Sequence, residues 1–362
     1  MITSARPLVI AHRGASGYRP EHTRSAYELA FALGADAVEP DIVASKDGVL
    51  VLRHENEISE TTDVAQRSEF APRKTTKVID GASLTGWFTE DFTWAELATL
   101  RATERIPALR QASSSFDGHE GILRLVDLLD IVDAATMSAR RPLVLVAEIK
   151  HPTYFESIGL PLDELFADAV RDWATADNLV VECFEQSVLM KIRARGIPGR
   201  LVFLAEAKGA PADLVAAAGG KARSYADHLT PAGLARLATE VDGVSVSRKL
   251  LLKLDLTKNA VGVTDLVARA HAAGLIVFCW TLRAESKFLA KNNRARGEAY
   301  AYGNWRREFE LIYSSGVDGV FADQPDLALA ARPAAAVPAA AVPAAAVSQN
   351  EGETSAKGRA SR

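Results

Sequence analysis

Several things are scarce in this sequence, and each scarcity excludes a class. Only two cysteines occur among 362 residues, Cys183 and Cys279. Both sit inside apolar runs, so no disulfide framework is expected, only two buried thiols. No run approaches the ~18 consecutive apolar residues of a membrane span, so no stable membrane insertion is expected. The opening MITSARPLVIAHRG lacks a charged region followed by an apolar stretch and a small-residue cleavage site, which makes the cytoplasm the expected location. Basic charge is short too: 42 Lys and Arg face 46 Asp and Glu, a net charge of −4. Residues 332–362 hold four basic and two acidic residues, so the body before them stands near −6. An acidic body argues against nucleic acid as a partner, whose footprint is a basic face. It leaves room for a small anionic substrate held by a metal and a few local cations.

What is present divides into a body and a tail. From Pro333 the chain reads PAAAV three times and then SQNEGETSAKGRASR. Proline at every fifth residue breaks the alanine runs, and the final stretch has almost nothing to bury, so residues 332–362 are expected to be disordered. Before the tail, short apolar runs alternate with amphipathic ones. The strands expected are 8–11, 37–43, 49–53, 143–149, 179–184, 201–205, 243–246, 275–281 and 319–322. Helical patterns cover 23–33, 162–173, 186–195, 231–239, 263–273 and 305–314. Such alternation implies a parallel sheet with helical crossovers.

Nine strands are one too many for an eight-stranded barrel. Only Ala44-Ser45-Lys46-Asp47-Gly48 separates the second candidate from the third, and a parallel crossover needs about a dozen residues. That pair is therefore an antiparallel hairpin, which leaves eight parallel strands and a (β/α)₈ TIM barrel as the expected α/β fold. A doubly wound sheet would want a GxGxxG turn after its first strand, and the chain offers His12-Arg13-Gly14-Ala15-Ser16-Gly17. Residues 55–121 break the rhythm, with one helix start signalled by the capping-box spacing Thr93-Trp94-Ala95-Glu96. They read as a capping insertion over the C-terminal face of a body spanning residues 1–331, the face where barrel active sites lie.

Charged and ring residues recur at the strand ends on that face: His12-Arg13, Glu39-Pro40-Asp41, His54-Glu55, Glu148-Ile149-Lys150, Phe184, Trp280 to Arg283, and Asp323. Glu39 and Asp41 share a face of one strand, as do Glu148 and Lys150. Like charges on an inward strand repel and lose hydration, which a divalent cation would relieve. Three carboxylates without cysteine, Glu39, Asp41 and Glu148, favour hard Ca²⁺ or Mg²⁺ over Zn²⁺. With the hairpin turn centred near Lys46 and Asp47, Glu39 and His54 are expected opposite each other. His12 tops the neighbouring strand. Two imidazoles beside a metal suit phosphodiester cleavage, one taking a proton from the attacking hydroxyl and one giving a proton to the leaving alkoxide. Arg13 and Lys150 would meet the phosphate oxygens.

These residues resemble a known family. Ile10-Ala11-His12-Arg13-Gly14-Ala15-Ser16-Gly17 with Pro20-Glu21-His22-Thr23 looks like the opening signature of the glycerophosphodiester phosphodiesterases. Glu39-Pro40-Asp41, His54, Glu148-Ile149-Lys150 and Ala322-Asp323-Gln324-Pro325 match its later motifs in order and spacing, over roughly residues 7–330. Thr61 to Ala65, Phe92 to Arg105 and Thr281-Leu282-Arg283 resemble the family's long-insert branch, typically calcium-dependent and often exported. The resemblance implies hydrolysis of a small-molecule glycerophosphodiester to sn-glycerol 3-phosphate and an alcohol. It implies His12 and His54 as the acid/base pair, and one divalent cation, calcium ahead of magnesium, on Glu39, Asp41 and Glu148. Arg13 and Lys150 would hold phosphate, Phe184 and Trp280 would contact the glycerol side, and Arg283 would line the substrate site. The sequence departs from the commoner pattern at Glu55, where Asp usually follows the histidine, at His22, where Asn is usual, and at Arg283, where Asn is usual. A lipid-directed phosphodiesterase and a non-catalytic glycerophosphodiester-binding protein are the alternatives. The first would want an exposed apolar rim, and the second would have lost a histidine or a carboxylate.

Overall fold

Successive residues of a strand point to opposite faces, so a strand apolar on both faces needs cover on both sides. The structure, a computed structural model describing residues 6–334, meets that need by closing the sheet on itself. In chain order the strands are β1 (Leu8–His12), β2 (Ala37–Glu39), β3 (Asp41–Ala44), β4 (Leu50–Leu52), β5 (Thr75–Ile79), β6 (Ala82–Gly86) and β7 (Val144–Ile149). They continue with β8 (Leu179–Cys183), β9 (Arg200–Ala205), β10 (Gly243–Ser247), β11 (Leu252–Leu254), β12 (Ala260–Val263), β13 (Ile276–Leu282) and β14 (Gly319–Ala322). The main sheet runs β2-β1-β14-β13-β10-β9-β8-β7-β3-β4, and β2 also pairs with β7. With β2 and β3 forming one stave, this is a closed barrel of eight parallel staves, the expected (β/α)₈ architecture.

Two apolar layers follow from the pleat. Leu8, Ile10, Ala37, Val144, Val146, Val180, Val202, Phe278 and Phe321 form a small cluster inside the barrel. Their strand neighbours at the alternate positions, such as Val9, Val38, Leu145, Val181 and Val277, belong to the larger cluster shared with the outer helices. Continuing the inward series toward the C-terminal ends of the strands replaces these apolar residues with His12, Glu39, Asp41, Glu148, Lys150, Glu182, Phe184, Trp280 and Asp323. The barrel is therefore oily at its floor and charged at its mouth.

The hairpin is present but sits one residue out of the expected register. Ile42 faces Leu52, Val43 faces Val51 and Ala44 faces Leu50, and the ladder ends there. Pro40 has no N–H to donate, and it divides the stave into β2 and β3. Glu39 and His54 are thus not ladder partners. The segment after the hairpin holds the antiparallel pair β5–β6, several 3₁₀ turns and short helices, and then the 15-residue helix Leu125–Ala139. Its capping box at Thr93 and Glu96 is formed, although the helix it starts, Trp94–Leu97, is only four residues long. The aromatic residues here are interior. Phe88 and Phe92 are buried, Phe70 and Phe92 meet edge to face at 5.1 Å, and the Trp87 indole N–H donates to the Phe70 carbonyl at 2.6 Å. An exposed apolar rim suited to a lipid surface is not what these rings build.

Cys183 and Cys279 are buried free thiols, as expected. Among the described residues no helix is long and apolar enough to cross a membrane. The disorder expected of the tail concerns mostly residues 335–362, which lie outside the described residues. Arg332, at its start, donates to Asp36 Oδ2 at 2.6 Å and to the Pro7 carbonyl at 3.3 Å, so it belongs to the folded body.

Candidate active site at the barrel mouth

The turn after β1 carries the first two site residues. Arg13 takes φ +59°, and Gly14 takes φ +82° with the backbone of Ala26 so close that a Cβ would lie 2.6 Å from it. Only glycine fits there, and the tight turn leaves His12 at the strand end and sends Arg13 across the mouth. The Arg13 backbone N–H donates to the carbonyl and to Oε2 of Glu39, at 3.0 Å and 2.8 Å. Strand register supplies the rest of the ring. His12 pairs with Glu39, Asp41 with Glu148, and Glu148 with Glu182.

His12, Arg13, Glu39, His54, Glu148, Lys150, Phe184, Trp280 and Arg283 all line one cavity of about 910 Å³. Nine of the ten residues expected at the site are therefore brought together. The tenth, Asp41, sits beneath, where Arg13 Nε and His22 Nε2 each reach its Oδ2 at 3.0 Å and Lys150 Nζ lies 3.5 Å from Oδ1. The trio of carboxylates whose oxygens gather within 4.8 Å of one another is Glu39, Glu148 and Glu182. This trio has Glu182 where Asp41 was expected; Asp41 stays beside its register partner Glu148, with Oδ2 tied to Arg13 and His22. Glu182 was open to discovery from the sequence: it lies two residues before Phe184, on the same face of an otherwise apolar strand.

Each histidine is held at Nδ1 by a carboxylate. His12 meets Asp323 Oδ1 at 2.6 Å, and His54 meets Glu55 Oε1. An Nδ1–H donated to a carboxylate leaves Nε2 as the free, basic nitrogen. Burial and then the neighbouring Arg13 push His12 down to about 4. Burial, Arg13 and Lys150 push His54 down to about 3. Both are neutral at pH 7 and able to accept a proton.

The carboxylates split by environment. Burial pushes Glu39 well above the usual range, helped by Asp41. Burial likewise pushes Glu182 well up, with Glu148 and Asp41 adding to it. Glu148 rises to about 7 through burial, although its ion pair with Lys150 at 2.6 Å pulls the other way. Burial acts to raise Asp41 as well, but Arg13, His54 and Lys150 outweigh it and hold Asp41 well below the usual range. Lys150 Nζ also stands 5.6 Å from the Phe184 ring centre, and Phe184 meets Trp280 edge to face at 5.8 Å. Arg283 is partly engaged, its Nε donating to Asp323 Oδ2 at 2.6 Å. Crowded carboxylates that resist ionisation, an all-oxygen donor set, and a buried Glu182 Oε2 without a hydrogen-bond partner fit a hard divalent cation.

Sequence reasoning passed over the residues that hold the histidines. Asp323 was noted as a strand end but given no role. Arg110 bonds Asp323 and Glu285, and Arg105 bonds Glu21 and Glu55. Both arginines come from the segment between β4 and β7, where no periodicity marks them.

A family model described as the glycerophosphoryl diester phosphodiesterase family matches residues 12–327. A glycerophosphodiester phosphodiesterase of Arabidopsis thaliana is 30% identical over 334 residues, covering 89% of this chain and 85% of its own. One from Treponema pallidum is 25% identical over 345 residues, covering 89% and 90%. Among solved structures, an Oleispira antarctica phosphodiesterase in complex with the product sn-glycerol-3-phosphate superposes with TM-score 0.61 at 20% identity, covering 91% of this chain and 98% of its own. A glycerophosphodiester phosphodiesterase from Agrobacterium tumefaciens gives TM-score 0.54 at 17% identity, covering 89% and 99%.

Proposed function

Because this chain belongs to the glycerophosphoryl diester phosphodiesterase family and is an enzyme of that class, we propose that His12 and His54 act as its acid/base pair. The reaction is cleavage of a glycerophosphodiester to sn-glycerol 3-phosphate and an alcohol. The observation that carries this reading is the pair of carboxylate-held imidazoles in one cavity with Arg13 and Lys150. The bound sn-glycerol-3-phosphate of the Oleispira antarctica enzyme supports the same small-molecule chemistry.

Arg13 and Lys150 hold the phosphodiester oxygens, while Phe184 and Trp280 give the glycerol carbons an apolar wall and Arg283 borders the substrate. One histidine accepts the proton of the attacking hydroxyl, either that of water or the glycerol 2-hydroxyl, whose cyclic phosphate water then opens. The other donates a proton to the alkoxide that leaves as the P–O bond breaks. The substrate's negative charge offsets Arg13 and Lys150, the cations that lower both imidazoles, so its arrival favours protonation of one of them. Glu39, Asp41 and Glu148 would hold one divalent cation, calcium ahead of magnesium as in the long-insert branch. Bound there, it would neutralise charge building on the phosphate oxygens. Val78, Asp80 and Gly81 of the β5–β6 pair line the same cavity, which supports residues 55–121 as its cap.

The test is turnover of glycerophosphocholine with and without EDTA. His12→Ala and His54→Ala are each expected to lower kcat/KM about 10²–10⁴-fold, the usual range for a lost proton transfer. A nitrophenyl ester, whose leaving group needs little protonation, should rescue loss of the general acid and not of the general base. Equal response of both variants to that ester, or near wild-type turnover by either on glycerophosphocholine, sinks the two-histidine mechanism.

A further inference from the structure

Glu182 has no part in the mechanism above, yet it faces the same space. It enters from β8 two residues beyond Val180, which belongs to the barrel interior, and is the register partner of Glu148. Its side chain is 1% exposed, its Oε2 has no hydrogen-bond partner, and its oxygen lies within 4.8 Å of those of Glu39 and Glu148. Ser245 gives this carboxylate one hydroxyl neighbour, but its Oε2 is left unpaired beside two other carboxylates, which is costly unless something positive stands between them.

We propose that Glu182 is a direct ligand of the divalent cation at this site, and that it biases the site toward calcium over magnesium. The inference rests on reading Glu39, Asp41 and Glu148 as the cation's other ligands. Two physical arguments support it. The first is charge. Ionised around a cation, Glu39, Asp41, Glu148 and Glu182 would bring four negative charges, and Arg13 and Lys150, paired with Asp41 and Glu148, would return two. The remainder is the charge of one divalent ion. The second is ligand number. Calcium accepts six to eight oxygens in flexible arrangements, whereas magnesium keeps most of its water and takes only about one or two carboxylates. A fourth carboxylate adds more to a calcium site than to a magnesium site.

The experiment titrates EDTA-stripped full-length protein with calcium and, separately, magnesium, reading affinity by calorimetry and the rise in Tm. Glu182→Gln keeps the shape and removes the charge. It is expected to weaken calcium binding roughly tenfold or more, since even outer-shell changes cost that much. Magnesium should weaken less, so the calcium-to-magnesium affinity ratio shrinks. Calcium affinity within twofold of wild type, with the ratio unchanged, overturns the proposal and leaves the other ligands standing, as a protonated, purely structural Glu182 would. Absence of cation binding by wild type overturns both readings together. Should Glu182→Gln fail to fold, Glu182→Asp carries the test. It keeps the charge but shortens the arm, and a direct ligand requires its calcium affinity to fall at least threefold.

Discussion

The two histidines are held by the same device built at two depths. His12 leans on Asp323, which is 1% exposed and also takes Arg110 and Arg283. His54 leans on Glu55, whose side chain is 33% exposed and whose second support is Arg105 at 2.7 Å. Asp323 follows a barrel strand directly, and three cationic or imidazole groups converge on it. Glu55 stands at the start of a long excursion of the chain, and Arg105 divides its guanidinium between Glu55 and Glu21. A buried carboxylate with three partners, two of them buried, has little freedom to move, so the orientation of His12 is built into the barrel. That of His54 depends on how the segment carrying Arg105 settles, so disturbing the segment should reach His54 first.

The strongest way to break the comparison is to remove the holders. Asp323→Ala leaves Arg110, 6% exposed in its side chain, partly unpaired, and is expected to cost about 3–5 kcal/mol in urea unfolding. Asp323→Asn keeps the shape but no longer fixes the imidazole tautomer, so kcat should fall about 10²–10⁴-fold with a smaller loss of stability. If Asp323→Asn turns over like wild type, Asp323 is structural only. At the outer holder, Glu55→Gln is expected to cost about 1 kcal/mol or less, because the pair is part-exposed, and to lower kcat about tenfold. An effect at Glu55 as large as that at Asp323 would erase the distinction between the two depths.

The arginines extend the contrast at lower amplitude. Arg110 also donates to the Ser16 carbonyl at 2.9 Å and to Glu285 at 2.8 Å, so Arg110→Ala leaves several buried acceptors unmet. Arg105→Ala leaves Glu21 with Arg13, which already donates to it at 3.1 Å. Arg110→Ala is expected to cost about 2–3 kcal/mol and Arg105→Ala about 1 kcal/mol, read from chemical denaturation. Their activities should track His12 and His54 respectively, visible as different responses to the nitrophenyl ester. Identical responses would show that the segment acts as one block.

The two depths also differ in how far the sequence discloses them. The barrel was legible because short apolar runs alternate with amphipathic helical patterns, and the turn after the first strand lacks the GxGxxG that a doubly wound sheet would want. The five-residue gap after Val43 forced the hairpin. Inward positions at strand ends named nine of the residues that line the cavity, since charges there have no packing role. Register was harder. The hairpin turn sets the pairing one residue away from the expected register, which no apolar pattern reveals, so Glu39 and His54 do not face each other as expected. Asp41 was placed with Glu39 and Glu148 by its spacing, while its contacts were decided by Arg13 and by His22, which no strand pattern points to. The β5–β6 and β11–β12 pairs went unseen because they are short and largely exposed, with little apolar alternation to mark them. Arg105 and Arg110 act across 50 to 213 residues of sequence, through contacts that only the folded chain defines.

The remaining contrast concerns acid. His12 titrates at about 4 and His54 at about 3 in the folded protein, both below their ordinary value of 6.5. Between pH 6.5 and 4 the unfolded chain therefore binds protons at both positions that the folded chain refuses. Acidification through this window favours unfolding, so the stability contributed by both histidines is full above pH 6.5 and declines as pH falls. Glu148, raised to about 7, opposes this by taking up a proton in the folded state over part of the same window. Wild-type stability alone would mix the two trends, so the informative quantity is the difference between wild type and a histidine variant. In EDTA, the curve of wild type minus His12→Ala should rise with pH by about 1.4 kcal/mol per unit between pH 4.5 and 6, one proton's worth. His54→Ala should give the same slope there. Its difference curve should keep sloping below pH 4, because Lys150 as well as Arg13 holds His54 down. Parallel curves for wild type and His12→Ala would mean that His12 stays protonable in the fold. Its bond to Asp323 would then outweigh burial, and the inner histidine rather than the outer one would be the natural proton donor.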